Sequence, residues 1–499
     1  MSKAIEKMLT DSFEVKGTWT LDESDLDDGI DGILHYSPKQ ILLELIGSFD
    51  NMVSFFGGEN RTKLTIYGFS ENAERFTLLG CIPKEARMNA PGFDTCTYSV
   101  DRFYAGTNHI KIEEEPLLTE AEFSFTNIDM WMDFSVLRYL SDHECRKAGC
   151  MVEIDSQQCE KKEIEIPSIN MILNEEFRYS LKYPSDYFLG ETAKITINRF
   201  YRFLPQMKEL VSPQAMLTNM QLIRRLLTLL LGKEMYFTYI EFHLPDKITT
   251  YFEGETCVLK EHCRMFFRQV GDITKETHLS HQDFSILLKR SDIKDHLEHI
   301  LNTWFVEQEK LGECVNAYIS DLYLPAYIEN KFLNVVRGIE TYHRLFIENG
   351  AKNEAEDLSV KPDLEEDYHK VLAYIYTNIS AENRDYFLAR INYVDEMNLR
   401  KRLKSLLLLT PSALSTRLFG NMTAHQQKKI IAQVIDTRNY YTHRDEKKNY
   451  KNVLDSGFEL MRLTNKLSIL LQYFCLTQIG VDSNVAVQRL IAIANYNAL

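Results

Sequence analysis

Little in this 499-residue chain is of the kind that breaks a fold: 12 prolines, 21 glycines and no low-complexity tract exclude long disordered regions. Long hydrophobic runs are also missing. The most apolar stretch, LIRRLLTLLLG around Leu226 to Leu231, is broken by two arginines and is far too short to span a bilayer. The opening MSKAIEKMLTDSFEVKG scatters charges where a secretory signal needs an apolar core. A cytoplasmic protein with no membrane association is the expectation. The nine cysteines are odd in number and follow no framework spacing, so reduced thiols are expected rather than disulfides. HECRKAGCMVEIDSQQC, with His143, Cys145, Cys150 and Cys159, comes nearest to a metal motif, but its gaps exceed those of paired zinc knuckles. CVLKEHC, with Cys257, His262 and Cys263, is weaker still. Idle or buried thiols are the simpler reading, and no metal or cofactor is expected. The chain also has no P-loop, no GxGxxG after a strand, no HExxH and no Gly-x-Ser-x-Gly.

What is present divides into two rhythms. Hydrophobic residues make up 44% and charged residues 26%, ordinary values for globular chains, and the length implies about two to four domains. From about residue 13 to 270, short runs such as KLTIYGFS, RFTLLGCI, TCTYSV and MYFTYIEFHL read as strands rich in Ile, Thr, Tyr and Phe. One helix interrupts them, with Ser212 as N-cap and Pro213 at the first helical position. After about residue 280 the spacing becomes helical. Phe332, Val335, Val336, Ile339, Tyr342 and Phe346 fall on one face, with His343 beside them as a packed histidine. Asp363 with Glu366, and Thr423 with Gln426, read as capping arrangements. The fold class is therefore α+β and multidomain. A β-rich, sandwich-like domain over 1–290 precedes an all-α bundle over 291–499.

One stretch carries chemistry: DTRNYYTHRDEKK, with Arg438 five residues ahead of His443. Histidine exchanges protons near neutral pH, and arginine matches phosphate oxygens with paired N–H donors. Together they suit RNA cleavage, in which the ribose 2′-OH is an internal nucleophile and no metal is required. On a regular helix, however, five residues place the two side chains roughly 140° apart. Either the helix is interrupted at the motif, or the groups meet across a symmetric dimer. Asn439, four residues before His443, shares the histidine's face instead. The chain's net charge of -15 reverses locally, since Met397 to Lys451 holds twelve Lys or Arg against three acids. Such a patch can hold a phosphate backbone, and Arg444, Lys447, Lys448, Lys428 and Lys429 are its RNA-binding candidates. Solvated helix faces carry the same residues, so the charge alone decides nothing.

RNYYTH resembles the Arg-x4-6-His signature of the HEPN superfamily, including the polar residue after the arginine. FLNVVRGIETYHRLF resembles the ApeA-like branch of that superfamily, and GTWTL, GIDGILHYSP and ILLELIGSF resemble the domain that precedes it in ApeA proteins. The resemblance implies a metal-independent endoribonuclease of prokaryotic anti-phage, abortive-infection defence, working as a homodimer and released by a phage-derived trigger. It implies Arg438 and His443 as catalytic residues, Asn439 as their polar companion and Glu340 as an acidic support. Glu340 has a plainer role open to it, an ion pair with Arg337 or Arg344 along its own helix. Two alternatives stand beside the nuclease. One is a non-catalytic HEPN module binding nucleotides, RNA or protein, and the other a metal-dependent small-molecule enzyme in the N-terminal half.

Overall fold

The computed structural model describes residues 3–496 apart from 24–28, 50–62, 89–90, 111–112, 133–136, 140–151, 155–161, 183–195, 251–255, 272, 274–285, 325, 349–361, 392–396, 445 and 456. The chain divides into two compact units, Met1–Val306 and Glu307–Leu499.

The N-terminal unit begins as a ring of antiparallel strands. β1 (Phe13–Thr20) pairs with β2 (Ile30–Ser37), which turns through Pro38 and Lys39 into β3 (Gln40–Ile46). On its other edge β1 pairs with β4 (Leu64–Ser70), and β4 with β5 (Arg75–Arg87). β6 (Thr95–Ser99) pairs with both β3 and the far half of β5, which closes a six-stranded barrel. Closure removes the exposed edges that an open sheet would leave. β5 changes partners at Gly80, whose φ of 65° suits glycine; its first half pairs instead with β7 (Arg102–Gly106).

From β7 the sheet runs on in the open. β8 (Leu118–Phe125) precedes a short helix α1 (Ile128–Met132) and a small pair, β9 (Leu137–Tyr139) with β10 (Val152–Ile154). β11 (Lys162–Ile166), β12 (Met171–Lys182) and β13 (Thr196–Val211) form the far edge. α2 (Pro213–Leu231) then leads to β14 (Phe237–Thr250) and β15 (Thr256–Phe267). The open order is β7-β15-β14-β8-β13-β12-β11, so late strands are inserted between early ones. The expected cap of α2 is present, with Ser212 accepting from the Ala215 N–H at 3.1 Å. Its stripe of Met216, Met220, Ile223, Leu226 and Leu230 is buried, as helical periodicity requires. Aromatic rings fill both parts: Phe103 stacks on Phe266 at 4.9 Å, and Phe123 on Phe203 at 5.3 Å. Arg264, from β15, reaches back to the start of the chain and donates to the carbonyls of Ile5 at 2.9 Å and Lys7 at 2.7 Å.

Trp19 is fully buried and faces Gly68 across the β1–β4 pair. A Cβ at position 68 would collide with the indole ring. Gly68→Ala is therefore expected to lower the stability of this unit by about 1–3 kcal/mol through overpacking, measured by denaturant unfolding of the full chain. An unchanged midpoint would show that the indole moves aside freely.

The C-terminal unit is all helical among the described residues. The N-terminal unit ends with the short α3 (Arg290–Ile293) and the first turns of α4 (Leu297–Tyr323), which continues into the C-terminal unit. Then follow α5 (Ile328–Tyr342), α6 (Pro362–Asn378), α7 (Ala381–Ile391), α8 (Leu399–Leu409), α9 (Ser412–Phe419), α10 (Ala424–His443), α11 (Gly457–Gln478) and α12 (Ser483–Tyr496). The fold class is thus β-rich followed by all-α, with barrel and open sheet as the form of the β half. α6 starts at Pro362, so Asp363 stands inside the helix and not at its cap, because proline suits the first helical position. The apolar stripe of α5 is buried from Phe332 to Tyr342, against α11 and α10. Gly338 permits the closest approach, since a Cβ there would lie 2.7 Å from the Leu471 side chain and 2.9 Å from Ala317 Cβ.

Directly after α5 the chain continues as a π-helical segment, His343–Glu348. His343 is 1% exposed, and neither ring nitrogen has a hydrogen-bond partner among the described residues. Burial, then the nearby Arg402 charge, pushes its pKa below 6.5. A histidine pKa depressed on folding means that the unfolded chain binds the proton better. The stability that neutral His343 contributes is present above pH 6.5 and is lost as pH falls below it. Thermal unfolding should show a steeper loss between pH 7 and pH 5.5 for the wild type than for His343→Phe. Parallel curves would contradict this.

Candidate active site

The helix that carries the motif is set at its start by a capping box. Thr423 accepts from the Gln426 N–H at 3.3 Å, and the Gln426 side chain accepts from the Thr423 N–H at 2.8 Å. Ile431, Val434, Thr437 and Tyr441 are buried, which fixes the core-facing side of α10. The helix is regular through RNYYTH and stops directly after it. Arg444 takes the left-handed conformation, φ 55°, and its N–H closes on the Tyr440 carbonyl at 2.8 Å. That conformation costs a non-glycine residue about 1–2 kcal/mol, and the guanidinium lies over the Tyr441 ring at 5.2 Å.

Beyond Arg444 the chain folds back along the helix it has left. The Asp436 carboxylate accepts from the Asn452 backbone N–H at 3.0 Å and from its side-chain amide at 2.8 Å. Thr437 Oγ1 accepts from the Leu454 N–H at 3.0 Å, and the Tyr441 hydroxyl donates to the Leu454 carbonyl at 3.3 Å. Asp436 and Thr437 therefore fasten the basic segment after the motif against its own helix. Their place in the sequence, directly before the signature and within reach of the polar segment that follows it, was the available signal.

Arg438 points toward α5. Its Nη2 lies 3.9 Å from Glu340 Oε2, with the two side chains 36% and 33% exposed. Neither Arg337 nor Arg344 forms an ion pair with Glu340, so the acid pairs across helices rather than along its own. At this exposure the pair orients the guanidinium more than it stabilises the fold. Arg438 Nη1 donates to Asn439 Oδ1 at 3.1 Å, so Asn439 turns to the arginine. Arg438 and Glu340 border a groove of about 570 Å³ that also holds Asn330, Asn334, Arg337 and Thr442. Arg337 is a second cation there, and sequence reading treated it only as a partner for Glu340. Asn330, Asn334 and Arg337 repeat at helical spacing beside the apolar stripe, which was the signal for a polar face.

His443 does not border this groove. It is the last residue of α10, exposed, and makes no hydrogen bond or ion pair among the described residues. The uninterrupted helix keeps it roughly 140° around the axis from Arg438. Within one chain the two signature residues are therefore not brought together. The basic candidates also divide. Lys428 and Lys429 are exposed on the first half of α10, while Lys447 is paired with Asp455 and Lys448 with Glu446 on the surface. Two of the twelve basic residues counted in this region are not free surface charge at all. Arg402 is buried and salt-bridged to Glu348 at 3.1 Å, and Arg417 donates to the Ala494 carbonyl at 2.9 Å.

His143, Cys145, Cys150 and Cys159 lie outside the described residues. Cys257 and Cys263 are free thiols on β15, and no group of three metal-ligating side chains occurs among the described residues. No helix among the described residues is long and apolar enough to cross a membrane.

The chain thus joins a closed barrel and open sheet to a helical bundle in which one helix carries an arginine at a groove and ends in a histidine. The family model for ApeA N-terminal domain 1 matches residues 14–304, and that for the Apea-like HEPN domain matches residues 333–485. The chain belongs to the ApeA family, among HEPN-containing anti-phage defence proteins. No curated protein and no solved structure matches it.

Proposed function

We propose that this chain is a metal-independent endoribonuclease effector of anti-phage defence, with Arg438 and His443 acting together at a site completed by a second copy. One observation carries the reading. In an Apea-like HEPN domain, a half-exposed arginine is held over an open polar groove while the signature histidine stands free at the end of the same straight helix. A two-fold axis perpendicular to that helix, passing between the two residues, would bring the histidine of one copy to the arginine of the other.

The chemistry follows from the side chains. The ribose 2′-oxygen attacks the adjacent phosphorus and gives up its proton to a neutral histidine. The bond to the 5′-oxygen breaks, and the same histidine, now protonated, returns the proton to that leaving oxygen. The products are a 2′,3′-cyclic phosphate and a free 5′-hydroxyl. Arg438 faces the charge that builds on the phosphoryl oxygens, with Glu340 and Asn439 holding its guanidinium. The N-terminal barrel and sheet would sense the infection signal and release the activity.

The test is induction of the full chain in cells, following growth and the 5′ ends of cellular RNA, beside Arg438→Ala and His443→Ala. Growth arrest and new 5′-hydroxyl ends that vanish in both variants support the proposal. RNA binding without cleavage under every inducing condition would favour a non-catalytic HEPN module instead.

A further inference from the structure

A second groove of about 220 Å³ lies on another flank of α10, lined by Phe419, Leu454, Arg462 and Lys466 among others. We propose that it holds one nucleotide of a single-stranded RNA, its phosphate on Arg462 and Lys466 and its base against the phenylalanine rings, as a subsite remote from Arg438. The inference rests on the ribonuclease reading for its substrate class.

The argument starts from unpaired charge. Neither Arg462 nor Lys466 makes an ion pair among the described residues. Their neighbours are rings instead: the Lys466 ammonium lies 5.7 Å from the Phe419 centroid, and the Arg462 guanidinium 5.9 Å from that of Phe458. Lys466 is partly buried, and its pKa is pushed down by that burial and then by Arg462 and Arg417. Arg417 is tied to the Ala494 carbonyl and acts as a fixed background charge. Glu459 shares the lining and pairs with neither cation. A half-buried ammonium beside two guanidiniums is costly while empty, and a bound phosphate removes that cost.

The rings supply the other half of the recognition. Phe458, outside the groove's lining but against Arg462, is 64% exposed and offers an open ring face at its margin. Cations alternating with aromatic faces are what single strands require: charge along the backbone and a surface for any base. Position agrees with this. Leu454 belongs to the segment fastened to Thr437, so the groove opens beside the chain that carries Arg444, Lys447, Lys448 and Lys451 back from His443. From Ile430 and Gln433, which also line the groove, to His443 is about 15–20 Å along α10, a span that a short single strand bridges.

The experiment uses the full chain and a fluorescent, non-cleavable 2′-O-methyl RNA oligonucleotide, titrated at several salt concentrations. The double variant Arg462→Gln with Lys466→Gln should bind about tenfold more weakly, and its salt slope should fall by about one per cation removed. Phe458→Ala, an exposed change that leaves the fold intact, should weaken binding about tenfold without altering the slope. Wild-type affinity and slope in the double variant would overturn the subsite. So would equal competition by inorganic phosphate alone, since that leaves no role for the base. The readout is binding, so it stands apart from cleavage. Wild-type binding without cleavage removes the nuclease reading and keeps the groove. Wild-type cleavage with an unchanged KM in the double variant removes the groove alone.

Discussion

Replacing His443 with alanine is expected to reduce RNA cleavage by about a hundredfold or more, the usual contribution of a positioned acid–base group. Arg438→Ala should have an effect of similar size, because removing a donor aimed at developing charge costs about 10²–10³ in rate. Folding should survive both changes. His443 is exposed at a helix end, and Arg438 is a half-exposed group in a weak pair. The more telling outcome comes from co-expressing the two variants. If Arg438 of one copy works with His443 of the other, a mixed dimer retains one intact site in which neither residue is altered. Random pairing then restores about a quarter of wild-type activity. No recovery in verified mixed dimers would mean that the two residues act from the same chain, contrary to the straight helix between them.

Arg402→Ala should be the most damaging single change in the helical unit. The guanidinium is buried, donates to the Met397 carbonyl at 2.6 Å and the Glu340 carbonyl at 3.4 Å, and meets Glu348 at 3.1 Å. Truncation removes the cation facing the Glu348 carboxylate in a largely dry site and unties α8 from the end of α5. The expected loss is about 3–5 kcal/mol, or a drop of roughly 10 °C in the melting temperature of a unit this size. Arg402→Met with Glu348→Leu removes both charges and should recover most of the loss, since a buried pair is costly to break and cheap to replace. A single variant that melts within a degree or two of the wild type would refute the account. The same linkage reaches the groove, because the carbonyl that Arg402 holds belongs to Glu340.

How far such features could be read from the chain depends on the range of the interaction. Local signals were legible. Ser212 and Thr423 cap the helices that their spacing announced, and the buried stripe from Phe332 to Tyr342 follows the 3.6-residue period. Strand identity was equally plain from composition. Barrel closure was not, because it depends on β5 pairing with β6 after changing partners at Gly80, and no periodicity encodes a choice of neighbour. Charge misled where burial decided. Arg402 counted toward a basic surface, yet it serves the interior, and a lone arginine gives no sign of which it will do. Glu340 pairs with Arg438 rather than with a neighbour on its own helix, which required knowing how α5 meets α10.

The interleaved sheet also sets a timetable on the ribosome. The six barrel strands lie between Phe13 and Ser99 and can close early, but β7 waits for β15, whose last residue is Phe267. The strand that completes the sheet also brings Arg264 to the carbonyls of Ile5 and Lys7, so the first residues made are secured by nearly the last of that unit. At about 5–20 residues per second, the helix carrying Arg438 and His443 emerges some 10–30 s after β15. A newly made chain therefore has time to finish its N-terminal half before the residues proposed to cut RNA exist.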